Sequence, residues 1–217
     1  MPRFIDVSHP IEAGMRTYPG LPVPEVEVLM EYESSRARYG GKAEFYIASL
    51  HLCGNTGTYV DAPIHRYRGG ADLASLSLEN LAHLPVTVVR KPGVAQIGAD
   101  DLRGLTLHGR AVLVETGWSE HWRTPHYFEA NPHLTADACD LLLQAGVKFV
   151  GIDSVNIDSL SDLARPAHTI LLGAGIPICE HMTQLADVPG EGGYLHAVPI
   201  PWVGGATFPV RAYVMAE

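Results

Sequence analysis

Residues 135–152, TADACDLLLQAGVKFVGI, constrain the fold most, because they join a helix directly to a short apolar strand. Thr135 stands where an N-cap belongs, Asp137 sits near the positive helix terminus, apolar residues fall on one side, and Gly146 supplies the stop. Residues 147–152 then read as a strand. The unit ends in Asp153 and Asp158, which places two carboxylates just past a strand's carboxyl end, where α/β folds often hold ligands. Aspartate is also a common turn residue, so capping turns is the equal alternative for both.

Aliphatic runs at 86–90 and 111–115, with turn signals at their ends, read as buried strands. Residues 4–7 and 26–30 give two earlier strands, and 43–52 a third that leads into a GNTGTY turn. YLHAVPI and PVRAYVM close the chain as two more, linked by a glycine-rich turn. The polar stretch 31–42, ending in Gly40 and Gly41, suggests a mobile excursion. Apolar spacing over 73–81, with Ser75 and Ser77 near its start, predicts a short helix closed by Pro85, and 98–102 a helical turn. After Pro166 an apolar run led by His168 is broken by Gly173 and Gly175, and Glu180 emerges from a second strand. Glutamate is seldom buried without a partner or a cation, so Glu180 beside Ile176, Ile178 and Cys179 needs one. No internal repeat is visible, and 217 residues fit a single domain, 1–217.

Composition removes several function classes. A formal charge of -9, with only 15 Lys and Arg scattered along the chain, leaves no basic surface for nucleic acid. No apolar run spans a bilayer, and MPRFIDVSHP lacks the charged leader and apolar core of a secretory signal, so the cytoplasm is the expected compartment and no membrane partner is expected. Cys53, Cys139 and Cys179 are odd in number and widely spaced, which argues against disulfides or a structural zinc module. The 11 histidines offer metal ligands or proton carriers. His83, His108, His121, His126 and His133 read as loop or surface residues, since no second ligand type recurs beside them.

The densest chemistry lies in GNTGTYVDAPIH, residues 54–65. Pro63 forbids a regular helix and biases Ala62 toward extended backbone, so Asp61 and His65 are expected on a rigid turn after a strand. Tyr18, Tyr59, Trp118, Trp122 and Trp202 are aromatics that suit a planar substrate, although packing is the commoner use of each.

These blocks, together with DVSHPI, YPG, TGW at 116–118, HTILLGAGIPICE, AVPI and PVRAYV, resemble the cyclase-like metal-dependent hydrolases that include bacterial kynurenine formamidase and isatin hydrolase. The resemblance runs nearly end to end. It implies an α/β fold of the swivelling β/β/α type, a mixed sheet flanked by helices, and a homodimer or homotetramer. The family signature HxGTHxDxPxH supplies two histidines and an aspartate to one divalent ion, and the aspartate bridges to a second ion held by a later histidine and glutamate. Asp61 matches the aspartate, His65 the signature's last histidine, His168 the later histidine and Glu180 the glutamate. Asn55 and Tyr59 stand where the other two histidines belong, and neither an amide nor a phenol of pKa about 10 is a strong ligand.

The resemblance therefore implies one zinc or manganese ion per chain on Asp61, His168 and Glu180, or none, with His65 carrying protons; Asn55, Thr58, Tyr59 and Trp118 are read as the substrate side, and Tyr59 filling the volume of the missing histidine and ion is the equal alternative. His51 and Cys53 are weighed as replacement ligands, but a strand places them roughly 13 and 7 Å from Asn55. The expected activity is hydrolysis of a small N-formyl, N-acyl or cyclic amide. Its alternatives are a metal-free cyclase, dehydratase or lactone-opening enzyme using His65, Asp61 and Glu180, and a small-molecule-binding protein without turnover.

Overall fold

A computed structural model describes residues 2–216. The first half builds β1 (Arg3–Asp6), β2 (Glu25–Met30), α1 (Tyr32–Arg38), β3 (Ile47–His51), β4 (Tyr59–Asp61), β5 (Leu84–Arg90), β6 (Gln96–Ile97) and β7 (Ala111–Glu115). The second adds β8 (His133–Leu134), α2 (Ala136–Ala145), β9 (Phe149–Ile152), α3 (Pro166–Gly173), β10 (Ile178–Glu180), β11 (Gly193–His196), β12 (Thr207–Pro209) and β13 (Tyr213–Ala216). Nine strands form one mixed sheet in the order β1-β13-β11-β5-β7-β9-β10-β4-β12. Its centre, β5-β7-β9-β10, is parallel and both flanks are antiparallel.

The central strands are apolar throughout because both faces are covered. Alternate residues of β7 point opposite ways. Ala111 and Leu113 join Ile5, Val60 and Val214 in one core, whereas Val112 and Val114 join Leu142 of α2 and Leu171 of α3 in the other. At the end of α2, Gly146 has φ 73°, a left-handed turn that turns the chain into β9. Thr135 occupies the N-cap without capping: its hydroxyl donates to the Ile97 carbonyl and to the Asp137 carboxylate.

Several expectations need correction. Residues 31–42 are not merely an excursion, since α1 fills most of them. Residues 73–81 form two separate turns, 73–75 and 78–80, because Leu76 between them is extended and Asp72 and Ser77 cap each turn locally. Pro85 closes no helix; it lies within β5 opposite Tyr194. The apolar run led by His168 is the helix α3, and β12 was not foreseen. Among the described residues no helix is long and apolar enough to cross a membrane.

Candidate active site

Strand register explains the convergence. In the antiparallel pair β4–β10, Tyr59 lies opposite Glu180 and Asp61 opposite Ile178. Residues two apart share a face, so Tyr59, Asp61 and Glu180 all point one way, while Val60 and Cys179 enter the opposite core. The shared face is the one α3 covers, and His168 is on the first turn of α3. One ligand atom each from Asp61, His168 and Glu180 then lies within 4.8 Å of the others, all three residues being buried. Asp61 thus ends a strand rather than sitting on the turn. The turn itself, 63–65, starts with Pro63 at the one helical position where proline is tolerated.

Each member is held by a specific neighbour. His168 Nδ1 donates to Asp158 Oδ2 at 2.6 Å, which leaves Nε2 at 3.7 Å from Asp61 Oδ2 and 3.6 Å from Glu180 Oε1. Asp158 also accepts the backbone N–H groups of Ala167 and His168, so it caps α3 and aims the imidazole together. Glu180 Oε1 accepts the Ile157 N–H at 2.7 Å, and Glu180 Oε2 accepts the Tyr59 hydroxyl at 2.5 Å. Both oxygens of Asp61 are buried with no hydrogen-bond partner. A carboxylate so placed is costly unless a cation meets it. The donors present therefore fit a divalent ion: two carboxylates, that of Asp61 without a partner, and an oriented imidazole.

Charge follows the same geometry. Burial opposes a charge on His168, but the bond to Asp158 and the nearby Asp61 and Glu180 outweigh it and push its pKa up to about 10. Burial raises Glu180 well above the usual carboxylate range; the His168 charge opposes that rise and Asp61 adds to it. Burial, then the charges of Glu180 and Asp61, lift Tyr59 well above a free phenol. Its proton stays on oxygen and is committed to Glu180, so Tyr59 does not serve as a phenolate ligand.

His65 reaches the mouth of the site. Its Nε2 lies 4.0 Å from Asp61 Oδ1, its ring centroid 5.8 Å from that of His168, and its side chain is 34% exposed. A cavity of about 420 Å³ opens beside it, lined by Asn55, Tyr59, His168 and Glu180 together with the loop 18–21 and Arg66, Asn156 and Arg165. The arginines carry no motif, so sequence reasoning passes over them, whereas the loop carries YPG at 18–20, one of the blocks of the resemblance.

Other expected site residues lie elsewhere. Thr58 is not on the cavity wall: it donates to the His181 carbonyl and accepts the His9 N–H, tying two loops together. Trp118 is also outside, its indole N–H bound to the Tyr127 carbonyl and its ring against His121 and His126. Asn55 reaches the wall, but Thr207 occupies its amide oxygen at 3.1 Å. His51 is exposed beside Glu27, and Cys53 touches Asn55 only through sulfur at 4.0 Å. Asp153 caps the loop after β7 by accepting from Thr116 and Gly117.

Two more imidazoles lie behind Tyr59. His181 is buried against Tyr127 and Trp122, and His9 stacks on Trp122 at 4.0 Å; the Nε2 of each is buried without a partner. Burial, aided by His9, holds the His181 pKa down to about 3, and burial holds His9 down to about 4. An unfolded histidine titrates near 6.5, so between those values the unfolded chain binds more protons and stability falls as pH falls. Asp153, Glu180 and His168 act oppositely, because their native pKa values are raised and native protonation favours folding. The contribution of His181 is therefore read as a difference between two proteins. Urea unfolding in chelator is expected to show that, from pH 7.5 to 5.0, His181→Phe gains about 2 kcal/mol of stability relative to wild type. An unchanged slope in that variant would refute the assignment.

Residues 5–159 match the family model described as putative cyclase. The chain belongs to that family. A kynurenine formamidase of Bacillus cereus is 30% identical over 213 residues, 97% of this chain and 96% of the relative. One from Geobacillus thermodenitrificans is 29% identical over 212 residues, 96% of this chain and 95% of the relative. Among solved structures, a potential metal-dependent hydrolase with cyclase activity shares 27% identity at a TM-score of 0.83, covering 100% of this chain and 99% of its own. Isatin hydrolase A of Ralstonia solanacearum, at 23% identity and TM-score 0.83 over 100% of this chain and 92% of its own, shares the fold. The mixed α/β architecture inferred from the sequence is the architecture of the cyclase family.

Proposed function

We propose that this cyclase-family enzyme hydrolyses a small N-formyl, N-acyl or cyclic amide at one divalent ion, zinc or manganese, held by Asp61, His168 and Glu180. It is a hydrolase of carbon–nitrogen bonds other than peptide bonds. The observation that carries the single-ion reading is the buried Asp61 carboxylate, both oxygens unpartnered, facing His168 Nε2 beside Glu180. Such an ion supplies Lewis acidity, polarising a carbonyl and acidifying water toward a pKa of about 7.

The chain's own residues do the rest. Asp158 keeps a proton on His168 Nδ1 and turns Nε2 toward the two carboxylates. Tyr59 and the Ile157 amide fix both oxygens of Glu180. His65, between Asp61 and solvent, takes a proton from the attacking water and returns it to the leaving nitrogen as the C–N bond breaks, giving an acid and an amine. Purification without chelator is expected to yield close to one zinc or manganese per chain and turnover of N-formylkynurenine. Less than about a tenth of an ion, with no uptake of added Zn²⁺ or Mn²⁺, would remove the metal reading, because three-ligand sites ordinarily retain their ion.

The partner is a small molecule, the compartment the cytoplasm, and the assembly a homodimer or homotetramer. The arm built from α1 and the two-stranded sheet β2–β3 supports self-association, since Val26, Val28, Leu29, Phe45, Ile47 and Leu50 are all at least 42% exposed. Sedimentation at micromolar concentration should give a multiple of the chain mass, and Val28→Glu with Leu50→Glu should reduce it. A monomeric wild type would refute the assembly.

A further inference from the structure

We infer that Arg66 and Arg165 make the rim of the cavity an anion subsite, so that the amides accepted here also carry a carboxylate or comparable anion. The substrate class rests on the hydrolase reading above; the subsite rests on the arginines alone.

In a chain of charge -9, two guanidinium groups on one cavity wall are conspicuous. Arg90, Arg103, Arg123 and Arg211 pair with carboxylates. Among the described residues Arg66 and Arg165 have no such partner, although they share the cavity with Glu180. Each is nevertheless anchored. Arg165 Nη1 donates to Asn156 Oδ1 at 3.0 Å and to the Ser159 carbonyl at 3.3 Å, which leaves Nε and Nη2 uncommitted. Arg66 Nε donates to Thr169 Oγ1 at 3.2 Å and leaves both Nη groups uncommitted.

Arg165 itself and Thr169, the anchor of Arg66, share one helical turn. Arg165 is the N-cap of α3, and the Thr169 N–H donates to the Arg165 carbonyl at 3.0 Å, so the two attachment points bracket His168. Arg165 holds φ 50° and ψ 60°, a left-handed conformation that is unfavourable for a residue with a Cβ and that persists where the surroundings fix it. Two pre-oriented guanidinium groups suit a planar carboxylate better than point charges would. Their sign decides selectivity. Buried Asp61 and Glu180 alone would repel an anionic amide, and the arginines reverse that at the rim while the amide bond reaches His168.

The test compares 2-formamidobenzoate with formanilide, two formamides that differ by a carboxylate. In Arg66→Gln/Arg165→Gln the ratio of kcat/KM, anionic over neutral, is expected to fall roughly 10- to 100-fold, chiefly through KM, whereas Arg165→Lys retains part of it. Arg66→Gln alone, at an exposed residue, covers the case in which the double variant fails to fold. A ratio changed less than about threefold in both would overturn the subsite. Calorimetry with benzenesulfonate, a poor metal ligand, against methyl phenyl sulfone reads the arginines without turnover. If neither formamide is cleaved but benzenesulfonate binds wild type and not the double variant, the subsite stands and the hydrolase reading falls. If benzenesulfonate binds wild type no better than the sulfone, the subsite is refuted whatever the turnover.

Discussion

Asp61→Asn is expected to lower amide hydrolysis by about a thousandfold or more and to take the bound ion below a tenth per chain, while leaving the fold intact. The reason is the position of its carboxylate. Asp61 is 0% exposed and no protein donor reaches either oxygen, so its charge has no structural use apart from the His168 imidazole 3.7 Å away. An amide of the same shape keeps the packing but removes the anion that joins His168 and Glu180 into a cation site. A thousandfold loss corresponds to about 4 kcal/mol of transition-state stabilisation, within reach of losing a metal ligand. Stability should move far less. In chelator the variant loses the attraction between Asp61 and the protonated His168 but no longer buries a carboxylate without hydrogen bonds, and the two opposing effects should leave it folded at assay temperature. Activity, ion content by elemental analysis and thermal melts together decide the matter. A variant that keeps its ion and most of its turnover would end the proposal, and one that loses activity only because it unfolds would make Asp61 structural.

The contrast between Asp61 and Asp153 shows what could be read from the chain. Both are buried aspartates at strand ends, yet Asp153 has each oxygen occupied by the loop it caps and Asp61 has neither. The sequence left Asp153 as ligand or cap and the resemblance made Asp61 a ligand, and the count of donors around each separates them. Strand positions were legible where burial on both faces forces aliphatic runs, as at 111–115, where expected and observed limits agree. Helices were legible where a stop residue follows, as with Gly146. The turns at 73–75 and 78–80 were not, since two locally capped turns and one short helix have the same apolar spacing. The arginines were not legible either, because Arg66 and Arg165 meet only through Thr169, more than a hundred residues from Arg66. Pairing of β4 with β10 is equally non-local, and it is this register that makes Tyr59 the partner of Glu180.

That pairing gives the second large effect. Asn55→His/Tyr59→His is expected to raise the ion content from about one to about two per chain. The family signature places histidines at both positions, and here the phenol of Tyr59 occupies the space beside Glu180 and supplies it with a proton where a cation would otherwise stand. Because burial and the charges of Glu180 and Asp61 keep that phenol protonated, it acts as a neutral stand-in for positive charge. Replacing its ring with the smaller imidazole opens room next to Asp61, whose second oxygen is still unpartnered. Asn55 lines the same cavity, so a histidine there needs only to leave the Thr207 hydroxyl. Tyr59→Phe separates the two roles of Tyr59. It keeps the ring but removes the proton from Glu180 Oε2, which should destabilise the chelated protein by about 1 to 3 kcal/mol and leave the stoichiometry at one. Two ions per chain in the wild type would show that the phenol excludes nothing, and a double histidine variant still holding one would show that the second position was closed by something other than Tyr59.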